Sequence, residues 1–200
     1  MNLLTVTNLS AGYAGKQVIK DISFFVAPKT IVGILGANGC GKTTLIKAIA
    51  NLLPHTGSCQ LDDTYLENAS PRQLALLCGY IPQKSGISID LTLLDVVLMG
   101  FNPKLSLLQS PTEQMKKEAF DALCSVGLGS RKDDNFQQLS EGQKQLCLLA
   151  RTFVLKRRLL LLDEPESALD FRLRYEMMGL LRTYVSKNNA AALVTLHDPS

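Results

Sequence analysis

Gly36-Ala-Asn-Gly-Cys-Gly-Lys-Thr-Thr44 is the stretch that decides how this chain folds. Gly36, Gly41, Lys42 and Thr43 stand at the spacing of a loop that cradles phosphates with its own backbone N–H groups. Glycines at 36, 39 and 41 permit close approach and positive φ angles. Lys42 offers a point charge to β- and γ-phosphates, and Thr43 a hydroxyl to Mg²⁺. The helix beginning here adds the partial positive charge of its N-terminus. Upstream, residues 30–35 form a short β-branched apolar run that reads as a buried parallel strand, and residues 44–53 carry helical periodicity. Strand, loop and helix in that order imply a nucleotide-binding chain.

Toward the N-terminus, residues 3–9 and 17–26 read as strands, with Pro28 turning the chain into the phosphate-loop strand. Between them Gly12-Tyr13-Ala14-Gly15 reads as a flexible loop. Tyr13 is open to two readings, a platform for a nucleotide base or a surface loop tyrosine. Toward the C-terminus, Pro54-His55-Thr56-Gly57 breaks the chain, and His55, with no second ligand nearby, reads as a surface histidine. A strand follows at 58–61, a helix from Pro71 through Leu77, and a buried strand at 78–81 that ends in Pro82-Gln83. Three helical patterns then succeed one another, at 92–100, 111–127 and 142–156, without strand signals between them. Strands return at 159–162, ending in Asp163-Glu164, and at 191–196, ending in His197. Alternating strands and helices imply a parallel sheet with ligands at the carboxyl ends of its strands, where Gly36, Gln83, Asp163 and His197 all fall.

Composition narrows the classes. Two hundred residues with 46% hydrophobic content suit one packed domain, and a net charge of +3 is too small to point to nucleic acid. Lys156-Arg157-Arg158 reads as a solvated helix end. The first residues lack the layout of a signal peptide, and no apolar run approaches the ~20 residues that cross a bilayer. Cysteines at 40, 59, 78, 124 and 147 lack metal-ligand spacing and read as reduced, mostly buried small hydrophobes. Cys40, at a helix N-terminus inside the phosphate loop, is also a candidate reactive thiol.

Four leucines running into Asp163 and Glu164 are the expected partner of a phosphate loop. Asp163 can hold Mg²⁺, and Glu164 can orient and deprotonate an attacking water. Leu139-Ser-Glu-Gly-Gln143 has a structural explanation as a capping box between Ser140 and Gln143. That leaves Gly142, which costs ~1 kcal/mol in a first helical turn and suggests a ligand pressed against the backbone.

With these motifs in place, the chain closely resembles the nucleotide-binding subunits of ATP-binding cassette (ABC) transporters along essentially its whole length. The resemblance implies an α/β fold: a P-loop NTPase (RecA-like) core of residues 1–84 and 151–200, with an N-terminal antiparallel β region and an inserted α-helical subdomain at 85–150. It implies that ATP lies on Gly36, Asn38, Gly39, Cys40, Gly41, Lys42, Thr43 and Thr44, with Tyr13 stacked on adenine. Thr43, Gln83 and Asp163 hold Mg²⁺, and Glu164, His197, Gln83 and Lys42 serve hydrolysis. Residues 139–143 look like the family's signature loop, and Ser167-Ala-Leu-Asp170 like its dimer-communicating loop. Two subunits are expected to pair head to tail, so that Ser140, Gly142 and Gln143 of one cover the ATP of the other. Transmembrane permease subunits, an extracytoplasmic substrate-binding protein and a place on the cytoplasmic face of the membrane follow from the same resemblance. Residues 91–100, with Pro103 and Ser110-Pro111 beyond, look like importers of iron-siderophore, haem and cobalamin type.

The chain departs from the family pattern at Glu141, where glycine is commoner, at Lys144, and at Glu166, where threonine is usual. It stops three residues past His197, where family members usually continue, so a C-terminally truncated domain with an incomplete sheet edge is expected. The competing expectations are a soluble cassette protein that remodels ribosomes or nucleic acid, and a nucleotide-binding module without turnover.

Overall fold

The computed structural model describes residues 2–84, 86–106, 108–166 and 169–196. Two sheets share the work. Strands β1 (Leu4–Tyr13), β2 (Lys16–Val26), β4 (His55–Leu61) and β5 (Thr64–Tyr65) form an antiparallel sheet in the order β2-β1-β4-β5. Strands β3 (Ile31–Ile34), β6 (Cys78–Ile81), β7 (Leu159–Leu162) and β8 (Ala191–Thr195) form a parallel one in the order β3-β8-β7-β6.

The parallel sheet is covered on both faces, which explains why β7 and β8 are apolar without alternation. Their period of two still sorts the side chains. Leu160, Leu162, Ala192 and Val194 join one core with Ile81 and the helices, while Leu159, Leu161, Ala191 and Leu193 join a second core with Cys78, Ile46, Ile49 and the antiparallel sheet. Helix α1 (Lys42–Ile49) belongs to the second core. The first is built from α3 (Leu93–Leu98), α4 (Glu113–Ser125), α5 (Glu141–Phe153) and α6 (Phe171–Asn188).

Helix starts follow local chemistry. Ser70, Thr92 and Ser140 open α2 (Pro71–Leu77), α3 and α5 with complete capping boxes, and Thr112 and Asp170 cap α4 and α6.

Several expectations shift. The loop expected at 12–15 is a two-residue turn, because Ala14 and Gly15 both take positive φ (49° and 79°), the conformation that joins twisted strands tightly. Tyr13 is therefore the last residue of β1, paired with Lys16. The helix expected at 142–156 ends at Phe153, so Lys156-Arg157-Arg158 is no helix end, and Arg157 is buried at 7% exposure rather than solvated. Its guanidinium donates to the carbonyls of Ala75, Thr152 and Gly100, and its N–H to the Tyr184 hydroxyl. Cys59, Cys78 and Cys147 are buried as expected, while Cys40 and Cys124 are exposed. Helix α6 has no counterpart among the expected elements.

Candidate active site

The phosphate loop hangs between β3 and α1. Gly39 (φ 78°) and Gly41 (φ 105°) take the left-handed backbone expected of them, and Gly41 forms the N-cap of α1. Gly36 takes no positive φ, and a Cβ there would stand 2.7 Å from Cys40 Sγ, a contact that rotation of the Cys40 side chain relieves. Asn38 and Cys40 are exposed along the loop, and Thr44 is buried beneath it. The Lys42 ammonium crosses back under the loop, donating to Gly36 O at 2.7 Å and Ala37 O at 3.3 Å. It also lies 3.5 Å from Glu164 Oε1.

Parallel register brings the ends of β6, β7 and β8 to the same edge. Asp163, only 3% exposed, accepts the Thr43 hydroxyl at 2.9 Å on Oδ1, which ties the strand end to the phosphate loop. Gln83 donates its side-chain amide to Glu164 Oε2 at 2.8 Å. Glu164 thus joins Lys42 through one oxygen and Gln83 through the other. Its own φ is 45°, a left-handed backbone that costs a non-glycine residue roughly 1–3 kcal/mol and marks a position fixed by its surroundings. Lys42, Thr43, Gln83, Asp163 and Glu164 are therefore gathered in one place.

Tyr13 is 47% exposed, and its phenol lies close enough to that of Tyr80 to act on it electrostatically. Burial, with Asp163 next and Tyr13 after it, pushes the Tyr80 phenol up to about 12. The signature residues are built as the capping box required: Gln143 N donates to Ser140 Oγ at 3.3 Å, and Ser140 N to Gln143 Oε1 at 3.1 Å. Gly142 is buried within this chain. Among the described residues no hydrogen bond joins Ser140, Gly142 or Gln143 to the phosphate loop. Asp170 caps α6, while Ser167, Ala168 and His197 lie outside the described residues.

The sequence reading missed three contributors. Thr195 is fully buried and contacts both Asp163 and the Glu164 backbone. Gln145, on α5, donates to the Gln83 carbonyl at 2.8 Å, and its buried Oε1 finds no donor among the described residues. Tyr80 is the third. The only sequence signal for Gln145 was its place two residues past the capping glutamine, and Thr195 had none.

Comparison with known proteins decides what this arrangement belongs to. The profile of the ABC transporter family matches residues 19–167. This chain is an ABC cassette. The Probable iron chelatin transport ATP-binding protein of Helicobacter pylori is 37% identical over 203 residues, 99% of this chain and 78% of that protein. The hemin import ATP-binding protein HmuV of Bordetella parapertussis is 35% identical, covering 98% of this chain and 77% of its own. Among solved structures, one described as an inward-facing ABC transporter of metal-chelate type matches with a TM-score of 0.84 at 29% identity, over 99% of this chain and 74% of that one. A nucleotide-free ATP-binding cassette superposes with a TM-score of 0.87 at 23% identity, covering 98% and 82%, which supports the fold alone. The cassette therefore binds ATP and is an ATPase, with the mixed α/β fold of its structural neighbours. No helix among the described residues is long and apolar enough to cross a membrane.

Proposed function

We propose that this cassette energises import of a metal chelate of iron-siderophore, haem or cobalamin type across the cytoplasmic membrane. The convergence of Lys42 and Gln83 on Glu164, next to the Thr43–Asp163 bond, is the observation that carries the hydrolytic part of the reading. The iron chelatin and hemin names of its relatives support the substrate class.

In this reading Lys42 exchanges its carbonyl partners for the β- and γ-phosphates, and the N–H groups around Gly36, Gly39 and Gly41 complete the cradle. Tyr13 stacks on adenine. Glu164 takes the proton of the attacking water, Gln83 orients that water, and His197 contacts the γ-phosphate. The donor set fits Mg²⁺: Thr43, Asp163 and Gln83 present hard oxygens, and among the described residues no group of three or more His, Cys, Asp or Glu could hold a metal unaided. Bound there, Mg²⁺ supplies charge neutralisation to the phosphates.

Ser140, Gly142 and Gln143 serve a second copy paired head to tail, the signature helix presenting its N-terminus to that copy's γ-phosphate. Residues 85–150 form the helical subdomain, and the segment after Gln83 carries its motion to transmembrane permease subunits fed by an extracytoplasmic binding protein. The cassette sits on the cytoplasmic face and has no nucleic-acid role. The test is ATP hydrolysis by the native protein and Glu164→Gln, each with size-exclusion chromatography in ATP. The variant is expected to lose turnover and accumulate as an ATP-dependent dimer. Native protein that neither hydrolyses nor dimerises, even with its permease, refutes the reading.

A further inference from the structure

We propose that Thr195 is a positioning residue for ATP hydrolysis, its hydroxyl aligning the two carboxylates of Asp163 and Glu164 at once. The proposal rests on the roles just given to those two residues. Thr195 ends β8, and the β7–β8 register that pairs Leu162 with Val194 sets it beside Asp163. It is 0% exposed, so its hydroxyl has only protein to bond. Glu164 N donates to Thr195 Oγ1 at 2.7 Å. The hydroxyl carries one proton, with Asp163 Oδ1 at 3.1 Å and Leu162 O at 3.4 Å as candidate acceptors. The carboxylate is both closer and charged, so it takes the proton.

Two consequences follow from those bonds. Asp163 Oδ1 accepts hydroxyls from both sides, Thr43 on the phosphate loop and Thr195 on β8, which fixes the carboxylate's rotation. The left-handed turn at Glu164, which a glutamate adopts only where its surroundings hold it, is pinned through its N–H. A β-branched side chain, stiff about χ1, suits such a post. One hydroxyl therefore sets where the metal-holding acid and the base stand relative to each other.

The test compares Thr195→Val, Thr195→Ser and Glu164→Gln in the cassette assembled with its permease. Val is isosteric and lacks the hydroxyl; Ser keeps it. Thr195→Val is expected to lower kcat by about ten-fold or more, while KM for ATP rises only several-fold. It should also weaken Mn²⁺-ATP binding several-fold by calorimetry and speed hydrogen exchange at the Glu164 amide but not at Leu161. Thr195→Ser is expected to restore all three. A Ser variant as slow as the Val variant overturns the proposal whatever the Val variant's stability, as does a Val variant with native kcat or native Glu164 exchange. If Glu164→Gln itself keeps turnover, the base assignment falls; if it loses turnover while Thr195→Val keeps it, only the present proposal falls.

Discussion

Replacing Arg157 by methionine keeps the aliphatic stem and deletes the guanidinium, and the structure gives the size of the loss. Nε donates to Ala75 O at 2.9 Å, Nη1 to Thr152 O at 2.7 Å and Nη2 to Gly100 O at 3.3 Å, so one side chain ties together α2, the end of α5 and the turn after α3. Hydrogen bonds from a charged donor contribute about 1.5–3 kcal/mol each, and the two short ones therefore about 3–6 kcal/mol. Against this stands the cost of burying a cation that makes no ion pair among the described residues. Burial pushes its pKa down, and methionine relieves a solvation penalty of several kcal/mol. The two terms largely oppose, so Arg157→Met should cost less than the bonds alone, no more than about 3 kcal/mol. Arg157→Lys keeps the penalty but exchanges the planar fork for a point donor, and should lose about 3–5 kcal/mol. In urea unfolding followed by circular dichroism the order is native, then Met, then Lys. For a chain of this size the Tm shifts are about 2–4 °C per kcal/mol. A lysine variant as stable as the native protein refutes the argument, because charge rather than the geometry of the fork would then hold these elements.

Gly41→Ala should weaken ATP binding and destabilise the fold by roughly 1–3 kcal/mol, read by calorimetry and thermal melting. Its Cβ would meet Ile19 Cγ2 at 2.8 Å on a backbone of φ 105°. Stability should fall as pH rises from 9 toward 12, because burial pushes the thiols of Cys59, Cys78 and Cys147, ordinarily at 9.0, up to about 12, and the Tyr80 and Tyr184 phenols, ordinarily at 10.0, likewise. The unfolded chain ionises first, so the thiols' stabilisation is whole below pH 9 and the phenols' below pH 10, and both are lost through 12, at up to about 1.4 kcal/mol per pH unit for each deeply buried group and less for the half-buried Tyr80. Urea midpoints measured across that range check it, and Cys147→Ala should flatten the slope. Gln145→Met removes the bond to Gln83 O and the unpartnered Oε1 together. Stability should change by less than about 1 kcal/mol while turnover falls several-fold, since Gln83 loses its tether to the signature helix.

What could be read in advance was local. The phosphate loop, the four leucines before Asp163 and the box at Ser140 each carry their meaning within about ten residues, and the structure keeps each nearly in place. Helix α2 from Pro71 and strand β6 from Cys78 begin where their sequence signals do. Helix α6 escaped because Phe171 and Tyr175, its largest early apolar residues, are exposed, which blurs the stripe that Met177, Leu181, Tyr184 and Val185 present to the core. Tyr13 was misplaced because a Gly-rich turn signal does not say how few residues the turn uses. Thr195 and Gln145 were invisible for another reason. Their partners lie 32 and 62 residues away, and nothing in a strand-ending threonine or a helical glutamine announces what register will set beside it.

The sheet order has a consequence for how the protein is made. Strand β3 carries the phosphate loop, yet its parallel neighbour is β8, with Ile31 beside Ala192. At about 5–20 residues per second, a ribosome finishes β8 roughly 8–30 s after β3 has been synthesised. Because β8 also lies between β3 and β7, the loop and the acids at 163 and 164 sit on separate pieces of unfinished sheet until then. The nascent chain thus carries the loop and the two acids long before β8 inserts between their strands and joins them in one sheet.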